Sequence, residues 1–146
     1  MLFRTHLIIA IFFILLFIHQ IPNPIIFLIV TIFATAIPDI DTKFSKIGKH
    51  FKILNFFMKH RGIIHSFTFL FIIGIFIFFF AREILIPFVF GYSLHLLLDG
   101  ITINGVRLFY PLKFRMKGRI KTGKIIENIL FAVFLAGDLF LVFKLF

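Results

Sequence analysis

The sequence predicts an all-α polytopic membrane protein forming a single integral domain over residues 1–146. About five transmembrane helices are expected, with an interfacial amphipathic helix between the second and the third. Three observations carry this prediction. Hydrophobic residues make up 61% of the chain and the mean hydropathy is +1.12, against roughly 45–50% apolar residues in a soluble domain. The apolar residues fall into runs separated by short polar turns, and no stretch between them is long enough to bury a core of its own. Lysine and arginine gather in alternate connections, as the positive-inside rule requires of a multi-pass protein.

The first run, Leu7 to Ile18, follows MLFRTH. Residues 2–20 read as a retained helix rather than a cleaved signal, because the A-x-A pattern at Ala34 to Ala36 lies inside the next apolar run. Asn23-Pro24 marks a turn with proline at a helix start. The second run, Ile25 to Ile37, is short: about 14 residues reach some 21 Å against a hydrocarbon core of roughly 30 Å. Pro38-Asp39-Ile40-Asp41 is therefore expected to sit recessed near the interface. Residues 42–61 are basic, with Phe44, Ile47, Phe51 and Leu54 at three- and four-residue spacing, the pattern of a helix lying in the interface. The third run, Gly62 to Ala81, is expected to carry His65-Ser66 in its first turn. Arg82-Glu83 makes a short turn, and the fourth run, 84–98, is gently broken by Pro87. Residues 100–124 hold several glycines among seven basic residues and read as a loop along the membrane surface. The last run, Ile125 to Phe146, has Glu127 in its first turn and Asp138 deep inside.

Fourteen of the sixteen Lys and Arg lie at Arg4, in 43–61 and in 107–124, leaving Arg82 and Lys144 on the other side. The rule places the fourteen and the amino terminus in the cytoplasm. The net charge of +10 is better matched to topology and to anionic headgroups than to nucleic acid. With no cysteine in the chain, disulfides, thiolate metal sites and cysteine nucleophiles are excluded, so any metal is held by nitrogen and oxygen.

His95 and Asp99 stand four residues apart. A helix advances about 6 Å over that interval and turns about 40° past a full circle, so both side chains share one face. Ionisable residues inside a membrane segment are costly and mark functional sites, and histidine with carboxylate suits a divalent metal. On the predicted topology His6, Asp39, Asp41, His60, His65, His95, Asp99 and Glu127 all reach the same cytoplasmic level, an arrangement that Lys and Arg counting did not presuppose. Simpler readings stand beside this one. His95 and Asp99 could hold two helices together by a hydrogen bond, PDID could be only a turn, and His60 could be a solvated member of KHRG. Glu127 could answer the positive end of a helix dipole, and His6 could be an ordinary histidine near a chain start. Ser93 with His95 and Asp99 makes a poor nucleophilic triad, because residues two apart on a helix point to different sides.

PDID at 38–41, HRGIIHS at 60–66, GYSLHLLLDGIT at 91–102, GVRLFYP at 105–111 and TGKIIE at 122–127 together resemble the YdjM-like family of membrane-bound metal-dependent hydrolases. That family has motif similarity to zinc phospholipase C and P1-type nucleases, whose HxxxD helix pair His95 and Asp99 are similar to. The resemblance implies a hydrolase using one or more divalent ions, zinc above all. The implied ligands are His65, His95, Asp99, Asp39 and Asp41, with His60, His6 and Glu127 matching less specific family positions. Such ions acidify water to a pKa near 7 and neutralise a phosphoryl oxygen, and one of Asp39, Asp41 or Glu127 could serve as general base. Arg61 and Arg107 are candidates for the substrate phosphate. A site recessed at the bilayer rim points to a phospholipid or other lipid-borne phosphoester. The competing expectation is a metal-binding membrane protein without catalysis, for ion handling or as a scaffold.

Overall fold

The computed structural model describes residues 1–41 and 63–145, and of Ile40 and Asp41 the backbone alone. The predicted interfacial helix, together with His60 and Arg61, lies outside the described residues. Those described form five α-helices and no strand: α1 (Phe3–Leu16), α2 (Pro24–Ala36), α3 (Phe67–Phe80), α4 (Leu85–Gly100) and α5 (Ile125–Leu145). Among the described residues, the segments 82–100 and 125–145 are the ones long and apolar enough to cross a membrane by length and composition. The first three helices have 14, 13 and 14 residues, about 21 Å at most. Five α-helices are described, as expected, and two of them reach the length of a full span.

Local chemistry sets the boundaries. Asn23 caps α2, its side chain accepting from Ile26 N at 3.3 Å, and Pro24 occupies the first helical position. Ser66 caps α3 in the same way, accepting from Phe69 N at 3.2 Å. The third helix thus begins at Phe67, and His65-Ser66 precede it rather than sit in its first turn. Pro87 lies in the first turn of α4, where its missing N–H would have had no helical partner, so the helix is unbroken.

α2 packs most extensively on α4 and α1 on α5. The α2–α4 seam is built from small residues. A Cβ on Gly91 would stand 2.5 Å from the Thr31 carbonyl oxygen, so the two backbones meet directly. Thr31 Oγ1 donates to Pro87 O at 3.3 Å, and Thr35 Oγ1 lies 2.8 Å from Thr31 O and 3.3 Å from Gly91 O. This is the close approach with hydroxyl cross-links that binds helices in lipid, where apolar surface alone gives little preference.

The 101–124 segment is more than a surface loop. It pairs Thr102 with Ile120 and Val106 with Met116, and it buries Val106 and Leu108 in a core cluster with Leu70, Tyr92 and Leu96. Leu108 O accepts from Phe67 N at 2.7 Å and Tyr110 O from Thr68 Oγ1 at 2.7 Å, fastening it to the start of α3. Its Lys and Arg side chains point outward. The segment caps the end of the helices at which the ionisable residues collect.

Candidate metal centre

Alternating helix directions bring the start of α1, the turn after α2, the turn before α3 and the end of α4 to one place. His6, His65 and His95 are fully buried there, and Asp99 is 2% exposed. His6 Nε2 lies 3.4 Å from Asp99 Oδ1, His65 Nε2 4.0 Å from Asp99 Oδ2, and His95 Nε2 3.9 Å from Asp39 Oδ1. Two potential ligand sets result, His6/His95/Asp99 and Asp39/His65/His95, with the donor atoms of each set within 4.8 Å of one another. Donors around a tetrahedral zinc with bonds of 2.0–2.2 Å stand about 3.4 Å apart. The first contact already has that spacing, and the other two need a few tenths of an ångström.

The rings are fixed in orientation. His6 and His95 stack with centroids 4.1 Å apart, and His65 meets His95 edge-on at 5.5 Å. Neither ring nitrogen of His6 or of His95 has a hydrogen-bond partner among the described residues. Burying a polar atom unsatisfied costs about 1–3 kcal/mol, and native proteins nearly always avoid it. An ion that takes the lone pair of one nitrogen on each ring removes that share of the cost and leaves the other nitrogen as an N–H, so the residues present fit a divalent cation of the kind bound by nitrogen and oxygen.

Supporting contacts hold the ligands. Tyr92, three residues before His95 on α4, donates from its hydroxyl to the carbonyl of Ile64, the neighbour of His65. Ser66 Oγ donates to Ile63 O while capping α3. Composition and spacing did not single out Tyr92; its place on the same helix as the HxxxD pair was the available signal. The amino group of Met1 contacts Asp99 Oδ1.

Glu127 is fully buried but belongs to neither ligand set. It accepts from Leu2 N at 2.5 Å, Thr5 Oγ1 at 3.0 Å and Gly123 N at 2.6 Å. Gly123 has φ +74°, a conformation that glycine adopts without strain. The carboxylate therefore pins the start of α1, and with it His6, to α5. Of the other expected residues, the side chain of Asp41 is not described, Arg107 is exposed on the loop, and Ser93 lines an apolar groove. Burial pushes the Asp39 carboxyl above its ordinary value near 3.8, opposed by the charges of His6 and His65.

The sequence profile of a family described as YdjM inner membrane protein matches residues 1–144. Among curated proteins, the chain is 34% identical over 109 residues to "Uncharacterized protein YvsG" of Bacillus subtilis (strain 168), a match covering 66% of this chain and 65% of that protein's length. No solved structure matches.

Proposed function

Because this chain belongs to the YdjM inner membrane protein family, we propose that it is a membrane-embedded, metal-dependent hydrolase acting on a phosphoester, lipid-borne for preference, at the cytoplasmic face. The observation that carries this is the pair of ligand sets sharing His95, in which the buried Nε2 atoms of His6 and His95 face the Asp99 and Asp39 carboxylates at 3.4 and 3.9 Å. On this reading all five helices span the bilayer, the shorter ones with local thinning, and the fourteen Lys and Arg face the cytoplasm. His6, His65, His95, Asp39 and Asp99 hold one or more ions, zinc by donor chemistry, and the likeness of the HxxxD pair to zinc phospholipase C belongs to this proposal. A bound ion supplies Lewis acidity toward a phosphoryl group. Where it does not hold the ion, Asp39, partly exposed at the rim, is better placed than buried Glu127 to take a proton, and Glu127 acts through the α1 start that it anchors. Arg107 with Arg61 would hold the phosphate.

Purified protein in lipid nanodiscs, offered a panel of phosphodiesters and phospholipids, is expected to turn over at least one of them, to stop on chelation and to recover with zinc. Metal-loaded protein inert toward phosphoesters, amides and carboxyl esters alike overturns the hydrolase. A second reading, metal binding without catalysis, is favoured by the complete burial of His6, His65 and His95, which structural metal sites share. That outcome is the one in which the ion binds and nothing turns over.

A further inference from the structure

An apolar groove of about 740 Å³ runs between α3 and α4, within the 300–1,000 Å³ range of ligand sites. On α3 its wall is Phe67, Phe71, Gly74 and Phe78, and on α4 Leu85, Val89 and Ser93, in each case residues three or four apart and so on one helix face. Gly74 opens it: a Cβ there meets only Leu85 Cδ1 at 3.9 Å. From Phe67 to Phe78 the groove follows α3 for about 17 Å, close to the half-thickness of about 15 Å that one leaflet's acyl chains fill.

One end of the groove differs from the other. Phe109 closes it at the level of the ionisable cluster, its ring 5.9 Å from that of Phe67. Phe109 stands in the loop whose Arg107, Lys113, Arg115, Lys117, Arg119, Lys121 and Lys124 are all exposed, with exposed Leu112 and Phe114 among them. Apolar side chains interleaved with cations suit the headgroup boundary, where each cation near an anionic surface contributes about 1 kcal/mol. Among the described residues the other end carries one cation, Arg82 over the Phe78 ring at 5.2 Å and beside Glu83 in the chain, so a long apolar slot with the denser cationic rim at the loop end complements a molecule with a single chain-like tail and an anionic head.

We propose that the α3–α4 groove binds one acyl chain of an anionic phospholipid whose headgroup rests on the Lys and Arg of the 107–124 segment. The site lies outside the histidine cluster and does not rest on the metal-dependent reading. It supplies a fixed lipid against the loop that caps the cluster.

The test uses the full chain in nanodiscs containing phosphatidylglycerol with a photoreactive diazirine along its acyl chain, or phosphatidylcholine carrying the same chain. The labelled peptides are identified by mass spectrometry. Labelling is expected to concentrate on residues 67–80 and 85–93 and to favour phosphatidylglycerol. Gly74→Phe, which fills the slot, is expected to lower it about tenfold, the change that follows from losing roughly one decade of affinity. Should Gly74→Phe fail to fold, Lys113→Gln with Arg115→Gln, both exposed positions, are expected to narrow the preference between the two lipids while leaving the labelled peptides the same. Label spread evenly over α3, α4 and the exposed face of α5, equal label from both lipids, or copies of the chain cross-linked through the groove in place of lipid overturns the proposal. Repeating the labelling in Asp99→Asn, without any turnover measurement, separates failure here from failure of the hydrolase reading.

Discussion

The imidazoles of His6 and His95 lie face to face, their planes 10° from parallel, although one comes from the first helix and the other from the fourth. The stack sets the two rings against each other, with His6 Nε2 toward Asp99 and His95 Nε2 toward Asp39. These histidine–carboxylate contacts are longer than those of a polar zipper between helices, with His6 Nε2 at 3.4 Å from Asp99 and His95 Nε2 at 3.9 Å from Asp39.

Purified protein is therefore expected to carry at least one divalent ion per chain. His95→Ala, which removes the residue common to both ligand sets, is expected to lower occupancy more than His6→Ala, by roughly tenfold or more on the scale of losses at metal sites. Elemental analysis after size exclusion measures this; wild-type protein that is folded and metal-free after zinc loading excludes the centre.

Glu127→Ala strands the Leu2 and Gly123 N–H groups and the Thr5 hydroxyl. The Thr5 hydroxyl is fully buried and the Leu2 and Gly123 N–H groups are nearer water, so a cost of about 1–3 kcal/mol for the buried donor predicts a fall in unfolding temperature, with Glu127→Gln milder because one oxygen acceptor survives. Zinc affinity after Glu127→Gln is expected to change less than after Asp99→Asn. Equal loss of metal in the two would instead make Glu127 a direct ligand.

The close approach at Gly91 predicts that Gly91→Ala, a single added methyl, destabilises the protein by about 1–3 kcal/mol through overpacking against backbone that cannot yield. Gly74→Ala, facing open space, is the matched control with little expected change. A thermal shift of the same size in both variants contradicts the seam as described.

The raised Asp39 carboxyl sets a pH dependence. In metal-free protein its contribution to stability is full below about 3.8 and is lost as pH rises through the higher folded value, since the buried group must then ionise. Zinc displaces that proton, so affinity is expected to weaken from pH 7.5 to 5, and Asp39→Asn to flatten part of the slope. Calorimetry at the two pH values in buffers of different ionisation enthalpy counts the proton released; no release at Asp39 sinks this assignment.

Topology is tested in a chain with no native cysteine. A single cysteine at Lys117, beside the ionisable cluster, is expected to be shielded from an impermeant thiol reagent in intact cells, and one at Gln20 to be labelled. Both side chains are exposed, so burial does not confound the result, and the reverse pattern would move the candidate centre to the outer face.

How much the sequence reveals depends on range. The i, i+4 relation of His95 and Asp99 is local, and α4 carries it as helix geometry dictates. The meeting of His6, His65, His95, Asp99 and Asp39 follows from counting helices that alternate in direction. What required the structure is contact between residues remote in sequence. Glu127 looks like a ligand because it shares their level, yet its three donors come from Leu2, Thr5 and Gly123, which no periodicity announces. The loop similarly reads as surface from its charges, while Val106 and Leu108 reach the core. Helix lengths fell short where a capping hydroxyl, as at Ser66, displaced the start of a run or a turn, as at Ile18–Gln20, replaced its end.

The order of synthesis gives the stacked histidines a further meaning. His6 leaves the ribosome with the first helix, but the ring that covers it, on His95, arrives only with the fourth, after α2, the 42–62 segment and α3 have been made. Until then the His6 imidazole lacks both its stacking partner and Asp99, and Asp39, after α2, is the one described carboxylate of the cluster already made. The seating of the amino-terminal end of α1 as described therefore draws on parts of the chain made last, the stack from α4 and the Glu127 acceptor from α5.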